Sequence, residues 1–168
     1  MEIINSLPSD LTTHMLLYNH AIAYQRLLGI VNWLGFDEDV VLAEIKANKH
    51  WKIVVEGEIA CVFLLEENDP MIWGDKDADP SIYVHRIATN PKFRGQSFVK
   101  HIVDFVRVYA KRKNKQFIRM DTLSGNDKLN NYYISKGFKL VGVTTIGDAS
   151  DMPAHYHNNS FVLFEMEV

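Results

Sequence analysis

Tyr83-Val84-His85-Arg86-Ile87-Ala88-Thr89-Asn90-Pro91-Lys92-Phe93-Arg94-Gly95-Gln96 is followed by a run whose hydrophobic period differs, and that change decides the fold. Through Thr89 the residues alternate and include β-branched side chains, the pattern of a strand. Pro91 has no amide hydrogen and closes it. Beyond Gly95, residues Phe98, Ile102, Phe105, Val106 and Tyr109 recur at i, i+4, i+7, i+8 and i+11, one face of a helix. Lys100, Asp104, Arg107 and Lys111 fall largely opposite. A strand, a tight turn and a helix in this order leave a helix N-terminus open beside the strand end. Its unpaired N–H groups and the positive end of its dipole suit an anion, and Arg94 stands at its mouth. The pattern predicts a phosphate-binding strand–loop–helix. The plainer alternative is an ordinary strand–helix connection with a solvated arginine. A nucleotide P-loop is not supported, because no Gly-Lys-Ser/Thr follows the turn.

The rest of the chain sets the frame. Its 168 residues are 47% hydrophobic and 23% charged, which is globular composition and enough for one domain over residues 1–168. A formal net charge of −3 argues against nucleic acid as a partner. Cys61 is the only cysteine, so neither an internal disulfide nor a zinc site of several thiolates can form. No apolar run approaches the roughly 20 residues of a membrane helix, and the first residues lack a signal pattern. The expectation is a cytoplasmic protein without a membrane partner.

Glu2–Asn5 reads as a short strand. Pro8-Ser9-Asp10 starts a helix whose stripe is Leu11, Met15, Tyr18 and Ile22. Asp37 is a candidate N-cap for a second helix ending near Asn48. Trp51–Val55 and Ile59–Leu65, joined through Glu56-Gly57-Glu58, read as a β-hairpin. The stretch 66–80 is acidic with one aromatic anchor, Trp73. It reads as a solvated loop or as an electrostatic lure for a cationic amine. Asp75, Asp77 and Asp79 lack the glycine and distal glutamate of a calcium loop. Gln116–Thr122 reads as a strand, 126–136 as a helix closed by Gly137, and 138–146 and 160–168 as two last strands. The order is strand, two helices, three strands, helix, strand, helix, two strands. That is an α+β domain around a mixed sheet of about seven strands with about four helices.

Arg86-Ile87-Ala88-Thr89-Asn90-Pro91-Lys92-Phe93-Arg94-Gly95-Gln96 resembles the acyl-CoA-binding segment of the GNAT superfamily of N-acetyltransferases. There a strand ends in hydrophobic-Ala-hydrophobic, followed by Pro, an aromatic and Arg-Gly-x-Gly-x-Gly/Ala. Asn126-Asp127-Lys128-Leu129-Asn130-Asn131-Tyr132-Tyr133-Ile134-Ser135-Lys136-Gly137-Phe138 is similar to the family's later helix. The resemblance covers roughly residues 81 to 145. It departs from the pattern at Ser97 and Val99, where the family has small residues, mostly glycine. The resemblance implies a mixed, mainly antiparallel sheet and transfer of an acetyl group from acetyl-CoA to a primary amine of a small molecule or peptide. It also implies the possibility of a homodimer. The alternative within the same fold is an acyl-CoA-binding module without transferase activity.

By the same resemblance, Ile87, Ala88 and Thr89 hold the pantetheine. Arg94, Gly95, Gln96, Ser97, Phe98 and Val99 make the pyrophosphate loop, and Asn126 is the CoA-contacting asparagine. Tyr133 matches the tyrosine that gives a proton to the CoA sulfur, a task a phenol near pKa 10 suits. Packing on the helix face is the plain alternative, and Tyr132 is the neighbour that a one-residue shift would select. His85, four residues before Thr89, is the candidate base, since imidazole titrates near neutrality. A buried, hydrogen-bonded histidine is the other reading. His155 and His157, with Asp148 or Asp151, could line the acceptor pocket, hold a metal in a hydrolase-like site with His85, or face solvent. No metal is expected for acetyl transfer.

Overall fold

The computed structural model describes residues 1–29, 33–147 and 156–168. Among them are seven strands: β1 (Glu2–Asn5), β2 (His50–Val55), β3 (Glu58–Glu66), β4 (Ser81–Thr89), β5 (Phe117–Leu123), β6 (Lys139–Thr145) and β7 (Ser160–Glu167). The helices are α1 (Leu11–Leu27), α2 (Glu38–Lys46), α3 (Pro70–Trp73), α4 (Phe98–Arg112) and α5 (Asp127–Ser135). The strand order is β1-β2-β3-β4-β5-β7-β6, mixed and mainly antiparallel as expected, with β4 and β5 parallel. No described helix is long and apolar enough to cross a membrane. The chain forms two compact units, Met1–Leu65 with Arg86–Phe98, and Glu66–His85 with Val99–Val168.

In the first unit β1 runs antiparallel to β2, and β2 to β3. The hairpin turns at Glu56 and Gly57, whose φ values of 51° and 81° are the two positive values a two-residue hairpin turn requires. Asp37 caps α2 as its side chain predicts, accepting from the amides of Asp39 and Val40 at 2.8 and 3.1 Å. The buried residues of α1 are His14, Leu17, Tyr18 and Ile22. The stripe is thus rotated from the expected one, and Leu11 and Met15 lie at the edge of the core. Tyr18 is the centre of an aromatic cluster with Trp33 and Phe36, at ring distances of 5.9 and 4.7 Å. Glu44 accepts from His50 at 2.9 Å and from Arg86 at 2.7 Å. Arg86 has φ 51° inside β4 and stacks over Phe36 at 4.8 Å. A non-glycine residue held there strains the backbone by about 1–3 kcal/mol, which the ion pair and the stacking contact offset.

In the second unit β7 pairs antiparallel with β5 and with β6. α4 buries Val99, Ile102, Val103, Val106 and Ala110, while Phe105 and Tyr109, expected on that face, stack on one another half-buried. The acidic stretch 66–80 is largely exposed, as a solvated segment is, but it is not irregular. It contains α3 and a 3-10 turn, Gly74–Ala78, and Trp73 is buried. Arg119 ties it down. This buried guanidinium donates to Asp79 at 2.7 Å, to Glu165 at 2.8 Å and to the Lys76 carbonyl, and lies 4.7 Å from the Trp73 ring. The negative charge that reads as solvent-facing is partly neutralised by a cation 40 positions downstream of Asp79.

Candidate functional site

The strand end and the turn belong to the first unit. Ala88 is packed in the core, and Ile87 and Thr89 are half-buried on the alternate face. Thr89 Oγ1 donates to Cys61 Sγ at 3.7 Å. Asn90 fixes the exit, because its Oδ1 accepts from the Lys92 amide and its Nδ2 donates to the Ile59 carbonyl, both at 3.1 Å. Pro91–Phe93 is a single 3-10 turn with Phe93 buried. Arg94, Gly95, Gln96 and Ser97 are then all exposed, with φ 88° at Gly95 and 53° at Ser97.

Ser97 stands where the resemblance expects glycine, and it keeps the left-handed backbone that glycine adopts freely. A side chain added at Gly95 would meet nothing within 4 Å, so the glycine there serves backbone conformation. Phe98 and Val99 are buried. The branches of Val99 are therefore covered by the core rather than exposed with the turn. Arg94 is held with its guanidinium 4.2 Å from the Tyr24 ring, a cation–π contact that keeps the charge at the turn.

His85 belongs to the second unit. β4 and β5 pair in parallel from Ser81↔Phe117 to Tyr83↔Arg119. Two residues further along each strand come His85 and Asp121. Imidazole Nδ1 lies 3.5 Å from Asp121 Oδ1, and Nε2 lies 3.6 Å from Asp69 Oδ2. His85 also stacks on Tyr83, with ring centroids 6.4 Å apart. Burial pushes the Asp69 carboxyl up to about 7, and the charges of Asp77 and Glu66 add to the shift. Burial, followed by the charge of Asp69, raises Asp121 to about 7. The positive φ of Arg86 interrupts the strand's period-two alternation between His85 and Ile87. Neither aspartate stood out in the sequence. Asp121 shares β5 with a second charged residue, Arg119, so its charge alone did not mark it, and its partner depends on strand register.

Asn126 caps α5, its Oδ1 accepting from the Leu129 amide at 3.1 Å. One turn on, Asn130 accepts from Thr122 Oγ1 at 3.2 Å. Tyr133 is buried among the rings of Phe164, Tyr132 and Phe138, at 5.6, 5.7 and 6.3 Å. Tyr132 is half-exposed, with the Lys136 ammonium 4.9 Å from its ring. Gly137 has φ 96° and closes the helix, as expected. His155, Asp148 and Asp151 lie outside the described residues, and His157 is half-buried.

A model of the acetyltransferase (GNAT) family matches residues 29–138, both motif blocks included. The uncharacterized N-acetyltransferase YesJ of Bacillus subtilis (strain 168) is 30% identical over 115 residues, which are 66% of this chain and 57% of YesJ. The chain thus spans less than two thirds of the curated relative it matches. An acetyltransferase of the GNAT family from Listeria monocytogenes superposes with a TM-score of 0.78 at 22% identity, covering 99% of this chain and 94% of that one. The structure of yncA from Salmonella typhimurium with its cofactor acetyl-CoA gives 0.70 at 15% identity, covering 99% and 93%. These two likenesses show the fold, and the match of the family model over both motif blocks shows more: the chain belongs to the acetyltransferase (GNAT) family.

Proposed function

We propose that this protein is an N-acetyltransferase that moves an acetyl group directly from acetyl-CoA to a primary amine of a small molecule or peptide. The observation that carries the reading is the exposed turn Arg94–Ser97, left-handed at Gly95 and Ser97, opening directly into α4. Such a turn offers backbone N–H groups and a helix N-terminus to a pyrophosphate. Arg94 adds a guanidinium, which suits phosphate geometry. Asn126 and the strand end Ile87–Thr89 take the CoA-contacting roles that the family motif gives them. Acetyl-CoA enters as co-substrate. The Salmonella relative with acetyl-CoA supports that choice.

In the reaction the amine nitrogen attacks the thioester carbon. A C–N bond forms, the C–S bond breaks, one proton leaves the nitrogen and one reaches the departing sulfur. His85 takes the first proton, with a carboxylate beside each ring nitrogen to balance the charge it gains. Tyr133 gives the second. Its ring is fixed by three aromatic neighbours, which limits the positions its hydroxyl can reach.

CoA release from acetyl-CoA across a panel of primary amines tests this. At least one amine is expected to be acetylated. His85→Ala is expected to lower its turnover by about 10²–10⁴-fold, the range for general acid–base groups, with acetyl-CoA affinity retained. Binding of acetyl-CoA without CoA release for any amine would make the protein a non-catalytic acyl-CoA-binding module instead. Equal turnover in the variant would remove His85 from the mechanism.

A further inference from the structure

We propose that Asp69, His85 and Asp121 form a binding site for a single divalent transition-metal ion, for which zinc is the probe. One ligand atom from each residue lies within 4.8 Å of the other two. Ligand atoms of a tetrahedral zinc ion, with bonds of about 2.1 Å, stand about 3.4 Å apart. Small side-chain rotations therefore close the set. One imidazole and two carboxylates match zinc, manganese or cobalt. Calcium and magnesium favour oxygen alone, and copper(I) favours sulfur. Three protein ligands leave a coordination position for water or another small ligand.

A second observation points to a cation. The Asp121 side chain is 6% exposed, and its Oδ1, aimed at His85, has no hydrogen-bond partner. Asp69 Oδ2, 3.6 Å from the imidazole Nε2, has none either. Two buried carboxylate oxygens without donors are unfavourable, and a shared cation satisfies both. The pairing of His85 with both aspartates is itself placed by three separate segments: the residue before α3, the fourth residue after Ser81 of β4, and β5. An ion there would occupy an imidazole nitrogen. This consequence rests on the function proposed above: bound zinc would withdraw the base and inhibit acetyl transfer.

The test is calorimetric titration of zinc chloride into the chelator-treated, full-length protein, with nitrogen NMR of the histidine rings. One zinc per chain is expected, with the His85 ring signals shifted. Asp121→Asn keeps the side-chain shape and removes a buried charge, so folding is retained. It is expected to weaken zinc binding by about 100-fold or more, since even outer-shell partners are worth about 10–100-fold. Absence of zinc binding would overturn the site. So would equal affinity in Asp121→Asn, or binding that leaves His85 unshifted. Zinc binding at His85 that leaves turnover intact would uphold the metal site and count against His85 as the base.

Discussion

Tyr133→Phe is expected to lower acetyl-transfer turnover by about 10²–10⁴-fold, the range for a group that moves a proton in the transition state. Acetyl-CoA affinity should stay within about twofold. The substitution removes one oxygen and leaves the ring that packs against Phe164, Tyr132 and Phe138, so the protein folds and the comparison is clean. The departing CoA thiolate then takes its proton from water, with no group held in place. Tyr132 supplies the control. It is half-exposed beside Lys136, and Tyr132→Phe should leave turnover nearly unchanged. Steady-state CoA release, with calorimetry for binding, separates the two. Equal turnover in Tyr133→Phe would remove its role, and loss in Tyr132→Phe alone would move the role one residue back.

Arg119→Met should destabilise the protein by about 3 kcal/mol. Breaking a buried ion pair by removing one partner typically destabilises by about 3–5 kcal/mol. The low end applies here, because the carboxylates left behind reach water: the side chains of Asp79 and Glu165 are 50% and 19% exposed. Methionine keeps the aliphatic stem but loses the donors to Asp79, Glu165 and the Lys76 carbonyl, and the contact with Trp73. The stretch 66–80 loses its anchor first. Urea denaturation followed by tryptophan fluorescence reads the change, with Trp73 beside the altered site. A loss under about 1 kcal/mol would mean that the guanidinium only balances its own desolvation.

The sequence was readable where physics is local. The period change at Gly95, the cap at Asp37 and the Glu56-Gly57 turn each depend on neighbours within a few positions, and each stands as expected. Readings that depended on long-range pairing fared differently. The anchoring of stretch 66–80 was not readable because its countercharge, Arg119, arrives from β5. Asp69 and Asp121 meet His85 only through the parallel register of β4 and β5 and the placement of α3, which periodicity does not encode. Arg86 broke the strand alternation because a non-glycine residue at positive φ is set by its ties to Glu44 and Phe36, not by its own preference. Ser97 departs from the motif in residue type while keeping the backbone conformation the motif requires.

The turn at residues 94–99 is proposed to hold the phosphates of acetyl-CoA, and calorimetric titration of acetyl-CoA tests this most directly. One site per chain in the micromolar range is predicted. Arg94→Ala should weaken binding by about 10- to 150-fold, the equivalent of about 1.5–3 kcal/mol for a hydrogen bond to a charged group. Absence of binding in the native chain, or equal affinity in Arg94→Ala, would contradict it.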